Sequence, residues 1–200
     1  MRRAVIGGAA ILAVWIWTYQ QGWMFHDEGT RALDVARAEA GLNPVPAIGE
    51  APHTTPAAAR PAPSPPRLDP GVLGRIEIPR LGISALIAEG TGPGQLGKAV
   101  GHIASSAFPG QRGNCALAGH RDSFLRGLGQ VRKKDLIRID TAKNTYTYQV
   151  EWGSVVPPER VSVLDATREP SLTLVTCYPF QMIGPAPDRF VVRARLIETD

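Results

Sequence analysis

The stretch Ser171 to Phe180 reads SLTLVTCYPF, an apolar and β-branched run that stops at Cys177 and is followed by the ladder-breaking Pro179. This pattern predicts a strand that ends at a loop, where its backbone holds the cysteine still while solvent reaches the thiol. Cys177 is therefore a candidate nucleophile. A buried structural cysteine is the alternative, because free cysteine is among the residue types most often buried.

Seven further β-rich runs lie between Gly71 and Asp200, separated by Gly, Pro and Asp, and no long stretch shows helical periodicity. Together they predict strands over residues 72–78, 83–88, 99–103, 114–118, 135–139, 145–152, 172–176 and 190–197. Eight short strands indicate an all-β closed barrel or a sandwich. Short helical turns fit after Asp122, with its side chain as cap, and around residues 159–164.

Histidine partners for a thiol are scarce, since the chain has four histidines. His26 lies in the segment just after the predicted membrane anchor and His53 in the predicted linker. We expect no hydrophobic core in these two segments to orient their side chains. His120 closes the run NCALAGH, another strand that ends at a loop, so its setting mirrors that of Cys177. His102 also follows a strand, but the long loop after it favours a structural or peripheral role.

A thiol nucleophile also needs a group that stabilises the negative charge developing on the substrate's carbonyl oxygen. Arginine does this without losing its charge. Arg189 begins the last predicted strand, across a Gly- and Pro-containing loop that can fold it back toward Cys177. Arg193 and Arg195 alternate with Arg189 along that strand, and we expect them to form a solvated stripe.

Three features now occur in a recognisable order: the run AGHRD (Ala118 to Asp122), the run TLVTC (Thr173 to Cys177) and the downstream Arg189. In this order they resemble the sortase family of cysteine transpeptidases. The resemblance covers about residues 73–196. The stretches GHIASSAFPGQRGNCALAGHRDSF and LVTCYPFQMIGPAPDRFVVRA are most similar to class D sortases.

The resemblance implies a closed eight-stranded β-barrel outside the membrane, with an amino-terminal anchor. It implies Cys177 as nucleophile, His120 as proton-handling partner, Arg189 as the residue that holds substrate and oxyanion, and Thr176 as a substrate-positioning residue. The implied partners are secreted proteins with an LPxTG- or LPxTA-like sorting signal and an amine acceptor, either a cell-wall or a protein amine. No cofactor is implied.

The amino terminus has the pattern of a membrane anchor. Ala4 to Phe25 contains no charged side chain, and at about 1.5 Å per residue it is long enough for a bilayer core of about 30 Å. Arg2 and Arg3 before it predict a cytoplasmic amino terminus, and the aromatic residues at its far end match an interfacial belt. No small-residue cleavage site follows, which favours an uncleaved anchor over a signal peptide.

The predicted organisation is therefore a single-pass plasma (inner) membrane protein with the anchor in residues 1–25, a juxtamembrane and linker segment in residues 26–70, and an extracytoplasmic catalytic domain in residues 71–200. Arg31 to Ala40 has the pattern of a short helix. Residues 41–70 hold 9 of the 18 prolines, which favours a stiff polyproline-like spacer.

Composition excludes several classes. The net charge of +4 is spread without a Lys/Arg block, which argues against nucleic-acid binding. Two cysteines exclude a disulfide-rich scaffold and a four-cysteine zinc site, and the chain has no HxxxH or CxxC pair, so we expect no catalytic metal.

Strand alternation points Cys115 away from the face of His120, as a small core residue. A Cys115–Cys177 disulfide is the competing arrangement.

Two other functions fit the same residues. A cysteine hydrolase would use them with water in place of the amine. A non-catalytic barrel on a stalk, binding envelope or peptide partners, would keep Cys177 buried. Product analysis with and without an added amine separates the first from a transpeptidase, and thiol labelling of the folded protein tests the second.

Overall fold

The computed structural model describes residues 26–43, 71–182 and 184–200 of the 200-residue chain. The predicted membrane anchor and residues 44–70 of the predicted linker lie outside these ranges. Within them, no helix is both long enough and apolar enough to cross a membrane.

Eight strands close into a barrel, which confirms the predicted fold class and decides between barrel and sandwich. Around the barrel the strands follow the order β1-β2-β3-β4-β7-β8-β6-β5. The β2–β3 and β4–β7 pairs are parallel, and the other six pairs are antiparallel. The strands are β1 (Val72–Ile78), β2 (Ile83–Glu89), β3 (Val100–His102), β4 (Asn114–Ala118), β5 (Leu136–Asp140), β6 (Thr145–Val156), β7 (Ser171–Tyr178) and β8 (Asp188–Thr199).

Helical structure in the described residues is short. It comprises α1 (residues 26–39), α2 (Pro93–Leu96) and three 3-10 turns, Pro79–Leu81, Arg126–Gln130 and Val161–Leu164. The turns predicted after Asp122 and around residues 159–164 are confirmed. The predicted cap is wrong, because the 3-10 turn starts only at Arg126 and its N-cap, Leu125, makes no side-chain cap bond. Residues 121–125 first form turns, which place Asp122 too far upstream to cap.

Strand β7 is longer than predicted and includes Cys177. The prediction ended this strand at Thr176, whereas the ladder runs on because β8 begins early enough to pair Tyr178 with Asp188. Pro179, which has no N–H to donate, follows the last pair. Cys177 is therefore fixed by pairing on a strand and not only by a loop.

The core fills the barrel interior by strict alternation. On β7, Leu172 and Leu174 point inward and are fully buried, whereas Val175 and Cys177 alternate with them and belong to the outer face. Burying a side chain such as Leu172 contributes about 1.5–3 kcal/mol. The largest fully buried interior side chains include Ile76, Ile78, Ile87, Leu117, Leu125, Leu128, Ile137, Ile139 and Tyr148.

Helix α1 packs on the outside of the barrel and is longer than the predicted helix from Arg31 to Ala40. Leu33 is 1% exposed, and Gly29 approaches Leu86 so closely that a side chain there would overlap it. Arg37, also buried, donates to the Thr141 carbonyl oxygen (2.9 Å) and to the Thr145 hydroxyl (2.9 Å). A segment upstream of residues 44–70 therefore contacts the barrel.

Candidate active site

The candidate site lies where three neighbouring strands, β4, β7 and β8, end on the outer face of the barrel. In the parallel β4–β7 ladder, Ala118 pairs with Val175. His120 lies two residues beyond Ala118, and the N–H of the intervening Gly119 donates to the Val175 carbonyl oxygen (3.1 Å), so the end of β4 that leads to His120 runs beside the end of β7 that carries Cys177. In the antiparallel β7–β8 ladder, Cys177 pairs directly with Arg189. The fold thus brings the three predicted catalytic residues to one place.

The two cysteines have opposite environments. Cys177 is half-buried, whereas Cys115 is 1% exposed and belongs to the interior core, as predicted. Burial raises the pKa of the Cys115 thiol to about 12, and the charge of Glu89 adds to this shift. Both thiols are free. Cys115 pairs with Leu172, five residues before Cys177 along β7, so the cysteines are about 16 Å apart and the alternative disulfide does not form.

The backbone that carries His120 is held on both sides of Gly119. The Gly119 N–H donates to the Val175 carbonyl oxygen (3.1 Å), and the Thr176 hydroxyl donates to the Gly119 carbonyl oxygen (2.7 Å). His120 itself is exposed to solvent. Gly119 packs so closely against Leu125 that a side chain there would crowd it. His120 is therefore an open side chain on an immobilised backbone.

Thr176 points into the barrel and is 3% exposed. Its hydroxyl is used in the bond to Gly119, so its observed contact is with the backbone next to His120. The predicted role of Thr176 in positioning the substrate stays a prediction.

Arg189 is half-buried at the start of β8. One guanidinium nitrogen, Nη1, donates to the carbonyl oxygens of Ala186 (3.2 Å) and Asp188 (2.9 Å). These bonds hold the side chain against its own loop while it stands opposite Cys177. A planar guanidinium placed in this way can offer its remaining N–H groups to a carbonyl oxygen bound at the thiol.

The other two histidines in the described residues have structural surroundings. His102 is completely buried, and its ring nitrogens bond to the Glu89 carboxylate (2.8 Å) and the Ala107 carbonyl oxygen (3.0 Å), as expected for a structural residue. His26 was expected to lack a core to orient it, and this is wrong. Its ring stacks on Phe124 at 5.0 Å between centroids, because α1 packs on the barrel.

Arg193 differs from the predicted solvated stripe. It is half-buried and donates to the Val163 carbonyl oxygen (2.7 Å), and its guanidinium lies 5.9 Å from the centre of the Trp152 ring. Arg195 is exposed, as predicted. Val163 belongs to the segment between β6 and β7, so this segment lies against the outer face at Arg193.

Arg121 is a residue of the site that the sequence reasoning missed. It follows His120 directly and is 8% exposed, and its Nη2 donates to the carbonyl oxygens of Met182 (2.6 Å) and Gly184 (2.7 Å). It thereby ties the His120 loop (residues 119–131) to the β7–β8 loop (residues 179–187). The sequence signal was its place inside the AGHRD run, but a contact some sixty residues away has no local pattern.

The described residues contain no group of three or more His, Cys, Asp or Glu side chains arranged to hold a metal ion.

The fold and the site define a class of protein: an eight-stranded barrel that presents a cysteine, a histidine and an arginine together at strand ends on its outer face. Residues 76–197 match the family model of the sortase domain. The chain belongs to the sortase family, whose members are cysteine transpeptidases.

Individual relatives agree with this assignment. Sortase D of Bacillus subtilis is 34% identical over 125 residues, covering 62% of this chain and 63% of that protein. Among solved structures, a sortase D transpeptidase of Clostridium perfringens is 30% identical, with a TM-score of 0.58 over 64% of this chain and 79% of that one. Sortase A of Listeria monocytogenes is 29% identical, with a TM-score of 0.60 over 65% of this chain and 90% of that one.

The predicted resemblance to sortases, including class D, is confirmed by these similarities. The matched regions span 63% of the B. subtilis sortase D and 49% of the curated L. monocytogenes sortase A, so about half to two thirds of those proteins.

Proposed function

We propose that this protein is a cysteine transpeptidase that cleaves an LPxTG- or LPxTA-like sorting signal after its threonine and transfers the new carboxyl terminus to an amine. The observation that carries the proposal is the pairing of Cys177 with Arg189 on β8, beside the end of β4 that leads to His120. A thiol, an imidazole and a guanidinium can supply the nucleophile, the proton transfer and the oxyanion stabilisation that acyl transfer through a thioester uses.

The first half-reaction forms a thioacyl enzyme. The Cys177 sulfur, as thiolate, attacks the backbone carbonyl carbon of the substrate threonine, and Arg189 donates hydrogen bonds to the carbonyl oxygen as it becomes negative. The C–N bond then breaks. His120, as imidazolium, gives its proton to the departing nitrogen, so that the carboxyl-terminal part leaves as a neutral amine.

The second half-reaction reverses these roles with a new amine. The incoming nitrogen attacks the thioester carbon, His120 accepts the proton that the nitrogen loses, and the C–S bond breaks. The products are an amide and the Cys177 thiolate, with His120 again protonated. Every proton moves through the chain's own side chains.

We place the catalytic barrel on the outer side of the plasma membrane. The support is the uncharged run Ala4 to Phe25 behind two arginines, which has the length and flanks of a signal anchor. In this arrangement the substrates are secreted proteins that carry the sorting signal, and the acceptor is a cell-wall or protein amine.

The experiment uses the full chain purified in detergent, incubated with LPxTG and LPxTA peptides with and without an amine, and products are read by mass spectrometry. Transpeptidation predicts cleavage after threonine, a thioacyl adduct on Cys177 and an amine-ligated product. Cys177→Ala should abolish all three. Cys115→Ala is the matched control because it removes a buried thiol outside the site.

The same measurement separates the alternatives. Acid product alone, even at high amine concentration, would indicate a cysteine hydrolase. Absence of any adduct on folded, reduced protein across the peptide panel would contradict the enzyme and favour a binding barrel.

A further inference from the structure

Helix α1 runs along the outside of the barrel from the end that carries the candidate site to the opposite end. At its start, His26 stacks on Phe124, which lies in the connection between β4 and β5, four residues after His120. Eleven residues further along, Arg37 donates to the carbonyl oxygen of Thr141, in the turn between β5 and β6. A helix rises about 16 Å over that distance, which is close to the length of about 17 Å of the five-residue strand β5.

The pairing directions of the strands show which connections share an end of the barrel. β1, β4, β6 and β7 run in one direction, and β2, β3, β5 and β8 run in the other. We call one end the catalytic rim and define it by residues 79–82, residues 119–135 and the carboxyl end of β7 with Cys177. The far rim is the opposite end, defined by residues 141–144 and by residues 165–170 before β7. Helix α1 therefore begins at the catalytic rim and ends at the far rim.

The start of α1 determines where a membrane anchor joins the domain. In the proposed function, residues 4–25 span the plasma membrane, and the orientation of the barrel depends on that placement. His26, the next residue, is already held at the catalytic rim by its stack on Phe124. The His26 ring also hydrogen-bonds to the backbone of Lys98, just before β3 begins at the same rim. An anchor that ends at residue 25 therefore brings the bilayer surface to the catalytic rim.

The proline-rich residues 44–70 do not connect the anchor to the barrel, because α1 precedes them and already contacts it. The residues that flank them are both at the far rim. The Asn43 carbonyl oxygen accepts a hydrogen bond from Arg37 (3.2 Å). The Gly71 carbonyl oxygen accepts one from the N–H of Glu89 (2.8 Å), at the carboxyl end of β2. The length of residues 44–70 therefore does not set the distance between the barrel and the membrane.

The catalytic rim carries a run of exposed positive charge. Arg132, Lys133 and Lys134 are three consecutive exposed residues at its edge, where the chain enters β5. None of them takes part in an ion pair among the residues that the structure describes. The next residue, Asp135, is acidic, but it is bound by Arg80 at 2.6 Å. The run is therefore available to an anionic partner.

The exposed charges elsewhere near the two rims are mixed in sign. At the far rim they are Lys143, Asp165, Arg168 and Glu169. At the start of α1, Asp27 pairs with Arg31 (2.8 Å), and Glu28 is exposed. In the described parts of the two rims, three like charges stand together only in the run from Arg132 to Lys134.

We propose that the catalytic rim faces the bilayer and that Arg132, Lys133 and Lys134 bind the headgroups of anionic phospholipids. A lipid surface is the partner because the start of α1 and the basic run lie at the same rim. Each Lys or Arg close to an anionic membrane surface favours contact by about five-fold. Three such side chains, on a domain that its anchor keeps at the membrane, hold the rim against the surface. The carboxyl end of β7, with Cys177, is then on the membrane side of the domain.

The test locates each rim relative to the lipid headgroups. The full chain is reconstituted in nanodiscs of phosphatidylcholine and phosphatidylglycerol, in which a fraction of the headgroups carries a nitroxide. A fluorescent maleimide is attached at Lys133→Cys or at Lys143→Cys, both exposed, in a background with Cys115→Ala and Cys177→Ala. A nitroxide quenches only nearby fluorophores, and β5 separates the two positions by about 17 Å. We therefore expect strong quenching at position 133 and little at position 143.

Charge variants test the role of the basic side chains. Fluorescence lifetimes of the label at position 133 give the ratio of lipid-bound to free rims. Arg132→Gln together with Lys134→Gln should lower this ratio by about ten-fold or more, and so should nanodiscs of phosphatidylcholine alone. The matched control, Lys143→Gln together with Arg195→Gln, removes two exposed charges away from the catalytic rim. It should leave the ratio unchanged.

The outcomes separate this proposal from the proposed function. Equal quenching at the two positions, or stronger quenching at position 143, would overturn the orientation. Quenching at position 133 that survives both the charge variant and the neutral lipid would overturn the binding of anionic headgroups. Quenching at neither position would leave the basic run to solvent or to an anionic polymer of the envelope, and would also overturn the proposal.

The anchor and the enzyme are tested separately. A chain that does not enter the nanodiscs would refute the membrane anchor and the orientation with it. Cleavage of sorting peptides by the chain in detergent does not depend on the orientation, so a missing thioacyl adduct would count against the transpeptidase alone.

Discussion

Cys177 and Arg189 are cross-strand partners near one end of the β7–β8 ladder, and both side chains lie on the outer face of the barrel. Antiparallel partners have Cβ atoms about 4.5–5.5 Å apart, so the guanidinium is within reach of a substrate on the thiol. The unbroken pairing from Ser171 with Arg195 to Tyr178 with Asp188 holds this register, because a slip of one residue would turn Arg189 inward. The position of Arg189 is therefore a property of strand pairing.

Removing Arg189 should slow the first half-reaction. We expect Arg189→Ala to lower the rate of thioacyl formation by about 10²–10³-fold, the usual cost of losing an oxyanion donor. The rate of thioacyl formation by Arg189→Lys should lie between those of wild type and Arg189→Ala, because lysine keeps the positive charge but not the planar guanidinium. Quenched-flow mass spectrometry of the Cys177 adduct measures this, and Arg195→Gln controls for net charge. Acylation by Arg189→Ala within three-fold of wild type would refute the assignment.

The two thiols should react very differently. Burial raises the pKa of Cys115 to about 12, whereas Cys177 is half-buried at the site. Iodoacetamide at about pH 8 should label one thiol in the folded chain and two in denaturant. Peptide mapping should place the native label on Cys177, and Cys177→Ala should remove it. A native label on Cys115 would contradict the structure.

Thr176 should act through the backbone next to His120. Thr176→Val removes the hydroxyl that donates to the Gly119 carbonyl oxygen, and we expect it to cost about 1 kcal/mol of stability. Thioacyl formation should fall several-fold more than protein unfolding explains, because the proton-handling group is displaced. Thr176→Ser keeps the hydroxyl and should restore activity. If Thr176→Val changes substrate KM alone, the residue contacts substrate instead.

Arg37 should anchor helix α1 to the barrel. It is buried, with Nη1 lying 3.6 Å from the buried Asp140 carboxylate, and it bonds to Thr141 and Thr145. Arg37→Met removes these bonds and one of the two arginines next to Asp140, whose other oxygen lies 3.0 Å from Arg138. We therefore expect it to lower the free energy of unfolding by about 1–3 kcal/mol. Urea unfolding of the full chain in detergent measures this effect.

The control for Arg37 is another arginine of the same helix. Arg31 pairs with Asp27 at 2.8 Å, and both side chains are more than half exposed. Arg31→Gln should therefore change stability by no more than about 0.5 kcal/mol. If Arg37→Met and Arg31→Gln lower the free energy of unfolding equally, the buried charge of Arg37 does not anchor α1 to the barrel.

The ion pair between Arg80 and Asp135 should make the free energy of unfolding depend on pH in the acid range. The hydrogen bonds of Arg80 hold the pKa of Asp135 below the usual range, and the N–H of Arg132 adds to this. The unfolded carboxyl has the higher pKa, so the contribution is complete above about pH 4 and is lost as pH falls through the folded value.

Arg80→Gln should therefore lower stability at about pH 6, and its effect should shrink progressively as the pH falls below about 4 and Asp135 becomes protonated. Urea unfolding across this range measures the difference between variant and wild type, with Arg31→Gln as control. A difference that does not shrink toward low pH would mean that Arg80 stabilises the protein by another route.

Local patterns were sufficient for much of this fold. Each predicted strand is present, with ends moved by at most a few residues, because alternation and turn residues are properties of short segments. Cys177, His120 and Arg189 were recognisable because each lies at or near a predicted strand boundary. The end of β7 was missed because its last pairs depend on where β8 begins, seventeen residues after Ser171.

Other features needed the folded chain. The burial of Arg37 and the stacking of His26 on Phe124 depend on the docking of α1, which residues 44–70 separate from the barrel sequence. Arg121 looked like one more residue of a motif until Met182 and Gly184 were found to accept its hydrogen bonds.

The sequence by itself determined the approximate strands, the all-β class and the three candidate residues Cys177, His120 and Arg189, since periodicity and residue chemistry are written locally along the chain. Only the tertiary structure decided that the strands close into a barrel, that Cys177 stands opposite Arg189, that Cys115 is buried apart from it, and that Arg121 donates to Met182 and Gly184. Register, burial and hydrogen-bond partnership arise from contacts between distant segments, so no local pattern encodes them.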